Sequence, residues 1–182
     1  MGIIIAFVIL GVIIVGIVSG GIAIYNRLVM LKYNVDKNFA NIDVILKQRV
    51  DEIPNLIAVV KKTQGYEESL LNQLTELRTA FLSSRSTDEK VQLANEVGKL
   101  LNSFFAVSEN YPELKAVESF RTLQLRVSDL EDMLSDRREL YNESVNMYNI
   151  GIHEMPALLF ARPMGYTDKP LLHISEEEKK YD

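Results

Sequence analysis

Residues 3–24 read IIIAFVILGVIIVGIVSGGIAI, 22 positions without a charged side chain, and the first cation of the chain is Arg27. A helix of that length rises roughly 33 Å, enough to cross the hydrocarbon of a bilayer. Within hydrocarbon every backbone donor and acceptor must pair inside the segment, so a single span is helical in spite of its β-branched side chains. A cleaved secretory signal would carry a basic start and an A-x-A-like cleavage site, and neither is present, so residues 1–26 read as an anchor. Tyr25, Asn26 and Arg27 then fall at the membrane interface, where amphipathic side chains collect. Only the α-amino group precedes the span, whereas Arg27, Lys32 and Lys37 follow it. That bias predicts an N-terminus outside the cell membrane and a cytoplasmic remainder.

Outside the span the chain is charged and water-facing, since all 20 Lys+Arg and 25 Asp+Glu lie beyond residue 26. A formal net charge of -5 removes the positive field that nonspecific nucleic-acid binding requires. With no Cys and two His, disulfides, thiolate nucleophiles and thiolate zinc sites are excluded, and other metal sites are short of ligands. His153-Glu154 opens like the zinc motif H-E-x-x-H, but Ala157 stands where the second histidine belongs. His173 reads as a solvated or packing histidine. No catalytic, cofactor or metal site is expected, and the chain is read as having no enzymatic activity.

Beyond Arg27 apolar residues recur every three or four positions at Val35, Phe39, Ile42, Leu46, Val50 and Ile53, one stripe of a helix that leaves the membrane without a break. Pro54 lacks a backbone donor, so a kink or restart is expected between Glu52 and Asn55. A stripe through Leu56, Ile57 and Val60 runs to Gly65; Leu70, Leu74, Leu77 and Phe81 follow, then a polar link at 83–87. Thr87 is expected to cap a helix with Val91, Ala94, Val97, Leu101, Phe104 and Phe105 on its core face, ending at Asn110-Tyr111-Pro112. A long last helix carries Phe120 through Ile152 and stops at Pro156. The irregular tail carries Leu158, Leu159, Phe160, Leu171 and Leu172, and part of it is expected to pack back on the bundle and Ser175–Asp182 to fray. The fold class is all-α, a membrane helix continuing into an antiparallel bundle of about four long helices over residues 27–168, with an irregular tail at 169–182.

Two constellations carry whatever chemistry remains. Asp43, Arg49, Asp51 and Asn55 cluster near Pro54, and Arg78, Glu131, Arg137, Arg138 and Asn142 can approach from facing helices. They read first as a polar network that fixes helix register and second as an anion or peptide site framed by arginines. The dipeptide Tyr-Asn recurs at 25–26, 141–142 and 148–149. Tyr141-Asn142 and Tyr148-Asn149 are seven residues apart and share a helix face, as inter-helix hydrogen-bonding groups or as a stripe that docks a partner.

Several motifs also resemble a known family. Tyr25-Asn26, Asn41-Ile42-Asp43-Val44 before Leu46-Lys47-Gln48-Arg49, Ile53-Pro54-Asn55-Leu56, Glu109 through Ala116, Arg137-Arg138 before Tyr141-Asn142, Tyr148-Asn149 and Gly165-Tyr166 are similar in kind and order to those of LemA proteins. The resemblance covers about residues 22–168, although the aromatic Trp often found near Phe39 is absent. It implies an N-terminally anchored antiparallel bundle facing the cytoplasm, no established catalytic activity, and membrane-linked work, since a related branch is associated with magnetosome membranes. The partners expected are the bilayer, through residues 3–24, and other proteins or further copies of the chain.

Overall fold

The computed structural model describes residues 1–62 and 68–172, apart from the side chains of residues 87 and 88. The readings at Gly65, at His173 and at Ser175–Asp182 lie outside the described residues. Among the described residues seven helices follow one another: α1 (Gly2–Asp51), α2 (Ile53–Val60), α3 (Glu68–Ser83), α4 (Thr87–Ser108), α5 (Pro112–Lys115), α6 (Glu118–His153) and α7 (Leu158–Ala161). Among the described residues there is no strand, and the fold is all-α. Contacts divide the chain into two compact units, residues 1–40 with 137–182 and residues 41–136, and α1 and α6 supply residues to both.

The punctuation follows from the residues. Glu52 alone leaves the helical pattern between α1 and α2, because Pro54 has no N–H to donate and is tolerated only in a first helical turn. Its neighbour Leu56 resumes the ladder by donating to the Glu52 carbonyl at 3.0 Å. Helix α4 stops at Ser108, and Pro112 opens α5. The cap of α4 is Ser86, one residue before the expected Thr87; its extended backbone (ψ 132°) starts the helix and its carbonyl accepts from Lys90 N–H at 3.0 Å.

In the unit of residues 41–136 four segments run up, down, up and down. Asp43 pairs with Lys90, and Arg49 reaches Ala94, so the end of α1 and α4 run the same way. Arg49 also meets Glu131, and Glu52 meets Arg126, so α6 runs against α1. Helices α3 and α4 form a hairpin through a three-residue link, with Lys90 Nζ over the Phe81 ring at 5.9 Å. Ile42, Leu46, Val50, Ile53, Leu56, Leu74, Phe81, Val97, Leu101, Phe104, Phe120 and Leu134 are nearly sealed from water. Each such side chain contributes about 1.5–3 kcal/mol of transfer free energy. On α3 the core position is Leu71 where Leu70 was expected, and Leu77 is only half-buried.

In the unit formed by residues 1–40 and 137–182, α6 descends along α1. Phe39 meets Tyr141 edge to face at 5.8 Å, Leu31 lies against Gly151, and Arg27 pairs with Glu154 at 3.0 Å. Residues 2–20 are exposed throughout, and burial begins with Leu28, Leu31 and Val35. After α7 the chain turns at Gly165, whose φ of +69° is a conformation that side chains rarely adopt. That turn lets Gly165 N–H reach the Arg162 carbonyl and Tyr166 N–H the Ala161 carbonyl, both at 3.1 Å, the paired bonds of a Schellman motif. It brings the Tyr166 ring to 6.0 Å from Tyr148 and 5.2 Å from Lys32 Nζ.

Candidate functional site

Of the expected polar cluster, Arg49 is the buried member, 3% exposed. A charge taken out of water is costly unless it is paired, and Arg49 is bound by the Glu131 carboxylate while Nη1 donates to the Ala94 carbonyl at 3.4 Å. Gly98 makes room for it: a Cβ there would stand 2.3 Å from Arg49 Nη2. Around the break between α1 and α2, the buried Glu52 accepts from Asn55 Nδ2 at 3.0 Å through one oxygen and from Arg126 Nε at 2.7 Å through the other. Asp51 and Pro54 are exposed, and Asp43 pairs with Lys90. Arg137, Arg138 and Asn142 belong to the other unit.

From the sequence Arg126 and Gly98 are not singled out, Glu52 reads only as the edge of the kink and Ala94 only as a core position. The Glu52–Asn55 spacing of three was a legible signal, since such neighbours share a helix face. Gly98 in the interior of a 22-residue helix was another.

The Tyr-Asn stripe divides its labour. Tyr141 and Tyr148 are buried, at 8% and 2%, which withdraws both rings from a docking surface. The asparagines bind the tail instead of a neighbouring helix. Asn149 Nδ2 donates to the Lys169 carbonyl and Asn149 Oδ1 accepts from Lys169 N–H, both at 2.9 Å; Asn142 does the same with Leu172, both at 2.8 Å. The register is geometric. Seven helical residues rise roughly 10.5 Å, and three extended residues cover about 10 Å, so the tail runs back along α6 in step with the two asparagines. Lys169 Nζ bonds Asp36 at 2.6 Å, and His153 Nε2 lies 3.0 Å from Asp168. Leu171 stays exposed and Leu172 is half-buried, so this stretch is held by paired hydrogen bonds, and the part of the tail that packs back through an apolar side chain is Phe160, on Gly21. Burial, with Tyr166, Asp168 and Asp36 nearby, pushes the Tyr148 hydroxyl above its ordinary pKa.

Towards the N-terminus one helix among the described residues is long and apolar enough to cross a bilayer, with a mean hydropathy of 3.0 in its apolar window. Tyr25 is half exposed, and Arg27 is neutralised by Glu154. Among the described residues no group of three or more His, Asp or Glu is placed to hold a metal ion.

Comparison with known proteins matches residues 38–182 to the LemA family. Magnetosome protein MamQ 2 of Paramagnetospirillum magneticum is 23% identical over 158 residues, covering 72% of this chain and 58% of that protein. Magnetosome protein MamQ of Magnetospirillum gryphiswaldense is 20% identical over 175 residues, covering 82% and 64%. The chain thus spans about three fifths of the length of the curated relatives it matches. With the family match running through most of an all-α chain that carries one candidate membrane span, the chain belongs to the LemA family.

Proposed function

We propose that this protein is a noncatalytic, single-pass membrane protein whose helical bundle works as an interaction or scaffold module at the cytoplasmic surface of the cell membrane, with its N-terminus outside. The observation that carries the reading is apolar surface exposed just beyond the span: Met30 (56%) and Tyr33 (69%) on α1, Met147 (57%) and Ile150 (51%) on α6. Soluble domains keep such surface small, and larger patches mark contacts with other molecules. An anchor confines the bundle to two dimensions, so modest lateral contacts gain effective concentration. Arg27, Lys32 and Lys37 after the span support the cytoplasmic placement.

The test is the assembly mass of the full chain in mild detergent, beside Met30→Glu and Met147→Glu. A defined oligomer or a co-purifying protein, lost in these variants, is expected. A monomer without partners in native-membrane crosslinking refutes the reading. A second reading, a self-assembling protein that shapes membranes, takes from the relatives only that they are named magnetosome proteins, and it predicts curvature or clustering in vesicles carrying the purified chain. A ligand site framed by arginines has less support, because Arg49 is buried between Glu131 and α4.

A further inference from the structure

The turn after α6 reads MPALLFARPM over 155–164, uncharged from Met155 to Ala161. Because α6 descends α1 step for step, Asn38 against Leu140 and Arg27 against Glu154, this turn reaches positions below Arg27 on α1. There the Phe160 ring packs on Gly21, with Cζ 3.6 Å from the point a Cβ would occupy. Gly21 lies within the apolar stretch 3–24, four residues or roughly 6 Å deeper than Tyr25. Met155 and Leu159, which flank Phe160 in the same turn, are 69% and 64% exposed, and Ile22, next to Gly21, is 57% exposed. A bilayer that takes up residues 3–24 cannot avoid this turn.

We infer that residues 155–161 form a second membrane contact, an interfacial wedge clamped to the span by Phe160 on Gly21, with Met155 and Leu159 entering the acyl region of the adjoining leaflet. The depth of roughly 6 Å matches that of helices lying in a membrane interface, about 5–10 Å. The ion pair of Arg27 and Glu154 stands at headgroup level, where pairing reduces the cost of bringing either charge close to hydrocarbon. Arg162, at the end of the uncharged run, is exposed, and its guanidinium is of the kind that binds phosphate. The wedge would widen the anchor's footprint in one leaflet.

The inference rests on the reading of residues 3–24 as a span, so its test carries a control for that reading. The chain has no Trp, and single tryptophans introduced into the full chain in phosphatidylcholine vesicles report without background. Leu159→Trp and Met155→Trp are expected to be quenched by bromines on the acyl chains, nearly as strongly as Ile13→Trp in the span, and to be shielded several-fold from aqueous iodide relative to the exposed Leu125→Trp. If both turn reporters behave like Leu125→Trp while Ile13→Trp is quenched by lipid, the wedge is wrong and the span stands. If Ile13→Trp is itself open to iodide, both readings fall. Turn reporters shielded from iodide and from brominated lipid alike would mean that protein covers the turn, which also overturns the wedge.

Discussion

Gly98→Ala should change the sign of its effect when Arg49 is removed. In a helix interior the substitution favours folding by about 1 kcal/mol, because alanine loses less backbone entropy than glycine. Here the new Cβ would stand 2.3 Å from Nη2 and 2.9 Å from Cζ of Arg49, closer than carbon and nitrogen can sit. The guanidinium must move, and its ion pair with Glu131 and its bond to the Ala94 carbonyl hold it in place. Loosening charge-assisted bonds of that kind costs about 1.5–3 kcal/mol. Less the propensity gain, Gly98→Ala destabilises by about 0.5–2 kcal/mol in the parent chain. In an Arg49→Met background nothing rigid occupies the space, and the same substitution stabilises by about 1 kcal/mol. The four proteins of this cycle, unfolded by heat and by denaturant as full chains in one detergent, give a coupling of about 1.5–3 kcal/mol. Equal stabilisation by Gly98→Ala in both backgrounds would show that Arg49 is not packed on Gly98, and the account of this buried charge would fail.

The tail clasp predicts that Asn149→Ala removes two hydrogen bonds to Lys169, worth about 1–3 kcal/mol together, and speeds amide exchange there about 5- to 150-fold, with Asn142→Ala acting likewise at Leu172. Exchange mass spectrometry reads both, and unchanged protection would remove the clasp. Gly151→Ala places a Cβ 2.4 Å from Leu31 Cδ1, an overpacking cost of about 1–3 kcal/mol seen as a lowered Tm and relieved by Leu31→Ala. The raised pKa of Tyr148 means that its neutral form is favoured in the folded chain. This contribution is complete below the ordinary tyrosine value of 10.0 and is lost as pH climbs through the folded value. Tyr148→Phe should therefore flatten the alkaline fall in stability and abolish a late step in the tyrosinate absorbance titration; an unchanged titration would refute the assignment.

Periodicity and punctuation were legible in the one-dimensional order. The uncharged run 3–24, the stripe from Val35 to Ile53 and the prolines at 54, 112 and 156 announce helices and breaks through local sterics and hydrogen bonding, which act over a few residues. Local rules also placed Arg49 and Asn55 near the kink, and showed that Tyr141-Asn142 and Tyr148-Asn149 share a face.

Partners were not legible in that way. Whether Arg49 meets Glu131 or Arg137 depends on which turn of α6 lies opposite it, a choice made by the summed packing of all the stripes. The Asn142 and Asn149 side chains can satisfy many backbones; what selects Leu172 and Lys169 is the reversal at Gly165, which sends an extended tail along α6 with a rise matching the asparagine spacing. Equally, Leu159 reads in sequence as part of a tail that packs back, and only the tertiary structure leaves it and Met155 exposed near the apolar stretch of α1. The sequence by itself determined where helices begin, where they stop and which segment is long and apolar enough to cross a bilayer, since those are short-range properties. Tertiary structure alone decided which charges are buried, what the asparagines hold and which apolar residues remain uncovered, because each depends on groups brought together from distant parts of the chain.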